Sequence, residues 1–161
     1  MGSGVRGLSS RIIVYVFAKL LSLFCKNIYR ASRQLYHGKM SGGEKRRMIV
    51  YAHFFREAFK RFMGNSSLVV LEYHLSKKLA GADPFELLLT EPRAFYNALV
   101  SIFGPEGSFL LLKLLFKQIV DGYRLTGWSA DEFVKSIISG GENARRSMLR
   151  LLEELPLTEN M

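Results

Sequence analysis

The stretch from Ala82 to Val120 constrains the fold of this chain most strongly, because it combines clear helix-start signals with the most apolar helix in the sequence. Asp83-Pro84 supplies an acidic N-cap residue followed by a proline at the first helical position. Glu91-Pro92 begins the next helix in a similar way, and Gly104 ends it. These signals predict two helices, from Pro84 to Leu89 and from Pro92 to Phe103.

A third helix of this stretch is predicted from Ser108 to Asp121. Its side chains are apolar over well over half of the helical circumference, which predicts the central core helix of the fold. Elsewhere, helical periodicity and caps predict helices over about 11–36, 44–63, 68–79, 129–138 and 142–155, and glycine-rich turns at 38–43 and 140–141. No stretch shows the alternation typical of a strand. The fold class is therefore predicted to be all-α, a compact bundle of about seven helices with a basic N-terminal helical hairpin.

Positive charge is concentrated at the N-terminal end of the chain. Residues 1–63 contain 13 Lys and Arg against two acids, whereas residues 64–161 contain 10 basic and 12 acidic residues. We interpret residues 1–10 as a flexible tail, 11–63 as the basic N-terminal helical hairpin and 64–161 as a helical core domain, together forming one compact unit. The asymmetry predicts an anionic partner such as nucleic acid, an anionic membrane or an acidic protein.

The basic side chains of the predicted hairpin fall on one stripe of each helix, on the side away from residues such as Phe55 and Phe59. Aromatic residues interleave with them, among them Tyr29, Tyr36, Tyr51 and Phe55, and such rings can stack on single-stranded bases. The alternative is that the aromatic rings form core and the cations a solvated face. The candidates for binding nucleic acid or another anion are Lys19, Lys26, Arg30, Arg33, Arg46, Arg47, Arg56, Lys60 and Arg61.

Patterns that indicate catalysis or cofactor binding are missing from the sequence. The single cysteine, Cys25, and the three histidines have none of the spacings typical of a metal site. The glycine pairs lack the spacing of a phosphate-binding loop. The sequence thus predicts a protein that is not an enzyme and that has no cofactor. One cysteine also predicts a reducing, cytoplasmic setting.

Residues 66–121 carry a pattern of helix punctuation and core positions that is similar to a known family. The pattern consists of Tyr73-His74-Leu75, Lys78, Asp83-Pro84, Leu88, Pro92, Phe95, Ala98-Leu99, Phe103-Gly104, Gly107 and the leucines from Leu110 onward. It resembles the fifth type of Nitrosopumilus output domain, an archaeal family of unknown function. The resemblance implies a module on the receiving side of signalling, and the family has no established catalytic residues to carry over to this sequence. A glycine that the family places soon after the lysine lies later here, at Gly81, and the basic hairpin lies outside the resemblance.

The sequence therefore predicts a non-enzymatic helical interaction module, such as a signalling-output or adaptor protein. Apolar surface on the first predicted helix favours self-association into a homo-oligomer or binding to a protein partner. A first alternative is salt-dependent binding of DNA or RNA through the basic hairpin. A second alternative is peripheral binding to an anionic membrane, because the same helix combines a wide apolar arc with a cationic stripe.

Overall fold

The computed structural model describes residues 15–16 and 41–156, and the fold reported is that of residues 41–156. Six α-helices follow one another along this range: α1 Gly42–Met63, α2 Asn65–Lys78, α3 Pro84–Thr90, α4 Pro92–Gly122, α5 Ala130–Ser139 and α6 Gly141–Glu154. The predicted all-α bundle is confirmed, with these six helices in the described part of the chain. The predicted helix over 11–36 lies outside it apart from Tyr15 and Val16, so α1 is the described helix of the predicted basic hairpin.

Helix α1 begins earlier than predicted because Ser41 caps it. The Ser41 hydroxyl accepts a hydrogen bond from the Glu44 amide at 3.3 Å, and the Ser41 amide donates to the Glu44 carboxylate at 3.0 Å. This reciprocal capping box satisfies two amides that the first turn would otherwise leave unpaired. Gly42 and Gly43 therefore form the first turn of α1, and their assignment to a turn was wrong.

Helix α2 also begins earlier than predicted, at Asn65 rather than Leu68. The Gly64 amide donates to the Lys60 carbonyl at the end of α1, and the Gly64 carbonyl accepts from the Leu68 amide. One residue thus ends one helix and starts the next. Asn65 and the two serines that follow it, which were expected to precede the helix, form its first turn.

Helix α4 is kinked at the position where the sequence predicts a stop. Gly104 has φ 75° and ψ 169°, a conformation that only glycine adopts readily. Pro105 follows it and lacks the amide hydrogen that would continue the helical ladder. The hydroxyl of Tyr96 in the first limb donates to the Pro105 carbonyl at 3.3 Å and bridges the kink. The helix therefore has two limbs, residues 92–103 and 105–122, and the second begins slightly before the predicted Ser108.

Aromatic side chains from four helices meet in the core. Phe59 of α1 packs against Phe85 of α3 and Phe95 of α4, at ring-centroid distances of 5.4 and 6.2 Å, and the latter two rings lie 6.5 Å from each other. Phe116 in the second limb of α4 packs edge-on against Phe133 of α5 at 4.2 Å. The buried side of α6 adds Met148, Leu151 and Leu152 to the same core. This packing fixes α1 and both limbs of α4, which carry the surfaces discussed below.

Ser108 is a buried polar residue in the second limb of α4. Its side chain is 0% exposed, and its hydroxyl has no hydrogen-bond partner within the described part of the chain. Because a buried unpaired hydroxyl costs about 1–3 kcal/mol, we expect Ser108→Ala to leave the free energy of unfolding unchanged or to raise it by about 1 kcal/mol. Ser108→Leu should lower it by about 1–3 kcal/mol through overpacking. Urea denaturation measures both, and a clear loss for Ser108→Ala would contradict the assignment of an unpaired hydroxyl.

Candidate interaction surfaces

Five of the nine predicted anion-binding side chains lie on α1, and all five residues are exposed: Arg46, Arg47, Arg56, Lys60 and Arg61. The other four, Lys19, Lys26, Arg30 and Arg33, lie outside the described residues. Tyr51 and Phe55 on the same helix are 5% and 0% exposed. These two rings are core residues, as the alternative interpretation of the sequence predicted, and they cannot stack on a base. The stacking platform predicted from the sequence is therefore absent from α1.

Two of the cations on α1 are engaged in ion pairs. Arg56 Nε lies 2.6 Å from Glu72 Oε1 of α2, and this hydrogen bond raises the pKa of Arg56 above its ordinary value. Lys60 Nζ lies 3.4 Å from Glu57 Oε1 within α1. Arg46, Arg47 and Arg61 form no ion pair with another described residue. The positive charge that α1 offers to an anion is therefore smaller than the residue count suggests.

The ion pair between Arg56 and Glu72 should make a small, salt-dependent contribution to stability. Because the Arg56 side chain is 49% exposed, solvent screens the pair, and we expect Glu72→Gln to lower the free energy of unfolding by less than about 1 kcal/mol. The loss should shrink in 1 M NaCl, where the screening length falls to about 3 Å. Glu153→Gln, at an exposed residue without a described ion pair, is the matched control. Equal losses for the two variants would contradict this account.

A shallow cleft separates α1 from the C-terminal end of α4. It has a volume of about 340 Å³ and is lined by Phe54, Glu57, Ala58, Arg61, Gln118, Ile119, Gly122 and Tyr123. Its charged and amide side chains, Glu57, Arg61 and Gln118, are all at least partly exposed. Over residues 15–16 and 41–156, no group of three or more His, Cys, Asp and Glu side chains is placed to hold a metal ion. The cleft therefore lacks the buried, convergent polar groups that usually orient a small ligand.

Helix α2 has apolar residues on both of its sides. Leu68, Leu71 and Leu75 face the core, whereas Val69, Val70 and Tyr73 are 56%, 57% and 56% exposed. The Lys77 ammonium lies 4.3 Å from the centre of the Tyr73 ring, within the range of a cation–π contact. Glu72, the acidic residue of α2, is paired with Arg56 of α1. The exposed side of α2 therefore combines apolar residues with cationic ones.

The second limb of α4 also has two different sides. Ser108, Leu112, Leu115, Phe116 and Ile119 are buried, whereas Leu110 and Leu114 are 54% and 43% exposed. We define the outward face of α4 as Glu106, Gly107, Leu110, Leu114 and Lys117, which follow one another at helical spacings on the side opposite the core. The two leucines thus lie between an acid at one end and a base at the other.

Only one side of this limb lies in the core, so the prediction of a central core helix holds for that side alone. A high proportion of apolar residues around the limb predicts burial on every side, so it does not indicate the outward face. Glu106, Lys117 and Asp121 all project on the side of Leu110, and this distribution was the available signal. Neither Glu106 nor Lys117 forms an ion pair with another described residue.

By length and composition, α4 is apolar enough to cross a membrane, with a mean hydropathy of 1.6 in its most apolar window, of which 28% is buried. The kink at Gly104 divides it into limbs that are each shorter than the roughly 20 residues of a straight span. One side of the second limb also packs into the core of the bundle. The apolar residues of the second limb are therefore divided between the core and the outward face of α4.

No protein-family model, curated protein or solved structure matches this chain. The similarity of residues 66–121 to the output-domain family stays a prediction, and so does the signalling role that it implies.

Proposed function

We propose that this protein is a non-enzymatic interaction module that self-associates through the outward face of α4 and acts in the cytoplasm. The observation that carries the proposal is the exposure of Leu110 and Leu114, at 54% and 43%, in the middle of this face. Removing such side chains from water contributes about 25 cal/mol per Å² of apolar surface. Because the other side of the limb is anchored in the core, the leucines can be buried by a partner without much loss of conformational freedom.

A second copy of the chain suits this face because charges of opposite sign flank its two leucines, with Asp121 one turn further along the same side. Glu106 precedes the leucines and Lys117 follows them. When two identical faces meet across a twofold axis, residue i contacts residue j and residue j contacts residue i. A face with an acid at one end and a base at the other is complementary to itself in that arrangement.

Self-association is tested on the full chain by sedimentation velocity over a wide range of protein concentration. We expect a shift from monomer to dimer as the concentration rises. Leu110→Glu places a charge between the two copies and should give a monomer at concentrations where the unaltered chain is dimeric. The matched control is Val69→Glu on the exposed side of α2, which should leave the dimer intact. An unaltered chain that stays monomeric throughout would refute the proposal.

A second candidate function is salt-dependent binding of DNA or RNA. Arg46, Arg47 and Arg61 favour it, because they are exposed and lack ion pairs with other described residues. Three phosphate contacts predict a slope of log affinity against log salt of about −2.7 on duplex DNA. Fluorescence anisotropy between 50 and 200 mM salt measures this slope, and Arg46→Glu with Arg47→Glu should remove most of it. An affinity for DNA or RNA that does not change with salt concentration would contradict this mechanism.

Peripheral membrane binding, the third function considered, depends on the predicted helix over 11–36. That segment lies outside the described residues, so this alternative stays an expectation from the sequence. Flotation with anionic vesicles is its direct test.

A further inference from the structure

We infer that two copies of the chain pair their α4 second limbs antiparallel, with a twofold axis between Leu110 and Leu114, so that Glu106 of each copy meets Lys117 of the other. This inference rests on the proposed self-association and specifies its geometry. It assigns the contact to the described bundle, whereas the sequence favoured the first predicted helix.

The spacing of the face fits this arrangement. Gly107, Leu110, Leu114 and Lys117 are separated by three, four and three residues, so they form a nearly straight seam along the limb. With the axis midway between the leucines, Leu110 of one copy lies opposite Leu114 of the other. At about 1.5 Å per residue, Glu106 and Lys117 lie roughly 9 and 8 Å along the helix from the axis. Because these two distances are nearly equal and lie on opposite sides of the axis, Glu106 of one copy lies level with Lys117 of the other.

Two neighbouring residues support the contact between Glu106 and Lys117. Gly107 has no side chain, and the nearest side-chain atom to the place of its missing Cβ is Cβ of Phe103 at 3.2 Å, so Lys117 of the second copy would pass beside Phe103 to extend towards Glu106. Lys113, which borders the face, is already bound to Asp131 of α5, with 2.9 Å between Nζ and Oδ1. Lys113 is therefore occupied within its own chain, and Lys117 remains the base available to Glu106.

Electrostatics favours the antiparallel arrangement over the parallel one. In a parallel pair, Glu106 would lie opposite Glu106 and Lys117 opposite Lys117, and like charges at close range repel each other. In an antiparallel pair both contacts join opposite charges, and the dipoles of the two limbs also oppose each other favourably. The whole chain carries a net charge of +9, so two copies repel at long range, and a specific attraction at the contact offsets part of that repulsion.

Charge reversal in the full chain tests the inference. Glu106→Lys and Lys117→Glu should each raise the dimer dissociation constant about tenfold, because each variant converts two ion pairs into two repulsive contacts. The double variant restores opposite charges and keeps the net charge unchanged, so it should recover an affinity within about threefold of the original. Lys78→Glu, on the exposed side of α2, changes the net charge as Lys117→Glu does and serves as the control. Sedimentation equilibrium gives the dissociation constants, and circular dichroism confirms that each variant is folded.

The outcomes separate the geometry from the proposed function. If Lys117→Glu and Lys78→Glu tighten the dimer equally, net charge governs association and the inferred pairing is wrong. If the two single variants and the double variant have the same dimer dissociation constant as the unaltered chain, the contact lies elsewhere, although the protein still self-associates. An unaltered chain that is monomeric refutes both proposals. If that monomer also floats with anionic vesicles, and Leu110→Glu prevents it, the outward face of α4 binds lipid instead.

Discussion

Replacing Gly140 by alanine is expected to lower the free energy of unfolding by about 3 kcal/mol. Gly140 joins α5 to α6 with φ 70° and ψ −164°, where a residue with a Cβ atom is strained by about 1–3 kcal/mol. A Cβ atom at this position would also lie 2.9 Å from Cδ and 3.1 Å from Cβ of Arg93, at the start of α4. Such overpacking typically costs a further 1–3 kcal/mol. Urea denaturation followed by circular dichroism measures the loss.

Gly141→Ala separates the two causes of this loss. Gly141 also has φ +70°, but among the described residues a Cβ atom there would meet no heavy atom within 4 Å beyond its chain neighbours and its own helix backbone. It should therefore show a smaller loss, roughly 1 kcal/mol, from backbone strain alone. In a chain that also carries Arg93→Ala, the loss from Gly140→Ala should become smaller, because Cγ and Cδ are gone. Equal losses for the two glycines would show that the Arg93 side chain moves aside at no cost.

Phe59→Ala is expected to have the largest effect on stability, a loss of about 3–5 kcal/mol. The Phe59 side chain is 0% exposed and packs against both Phe85 and Phe95, so its removal leaves a cavity where α1, α3 and α4 meet. For a domain with a typical stability of about 5–15 kcal/mol, this is a large share of the total.

Phe103→Ala is the matched control for the core variant. Phe103 is 47% exposed at the end of the first limb of α4, and its truncation should cost less than about 1 kcal/mol. The midpoint of urea unfolding should therefore fall sharply for Phe59→Ala and little for Phe103→Ala. Similar midpoints for the two variants would contradict the assignment of Phe59 to the centre of the core.

Local signals explain why so much of the fold could be predicted from the sequence. Asp83 caps α3 by accepting from the Phe85 and Glu86 amides, at 2.8 and 3.0 Å. Ser129 caps α5 in a similar way, through the Glu132 amide at 3.4 Å. Each of these interactions joins residues two or three positions apart, so a short segment contains all the information needed.

Features that depend on contacts between helices could not be predicted. The ion pair between Arg56 and Glu72 joins two helices, and no periodicity within either helix indicates it. Likewise, an apolar surface around most of a helix predicts burial, but it does not reveal that only one side of the second limb of α4 meets the core. The capping box at Ser41 differs from these cases. Its spacing, from Ser41 to Glu44, is visible in the sequence, but the two glycines between them favoured the prediction of a turn.

The candidate site therefore moves from the basic residues of α1 to the outward face of α4. The basic residues of α1 are exposed as the helical spacing predicts, yet two of them are paired and the neighbouring rings are buried. The outward face of α4 instead presents leucines between Glu106 and Lys117, which form no ion pair with another described residue. Our account of function therefore centres on this face.

Disulfide cross-linking shows whether position 110 of one copy meets position 114 of another. Full-length chains carrying Cys25→Ser and either Leu110→Cys or Leu114→Cys are mixed in equal amounts and oxidised, and mass spectrometry identifies the dimers. A disulfide needs Cβ atoms about 3.5–4.5 Å apart, and the antiparallel pair brings position 110 of one copy opposite position 114 of the other. We predict that the mixed dimer forms faster than either homodimer and exceeds the one-half share expected from random pairing. Homodimers that form as fast as the mixed dimer, or no cross-linking at all, would contradict the account.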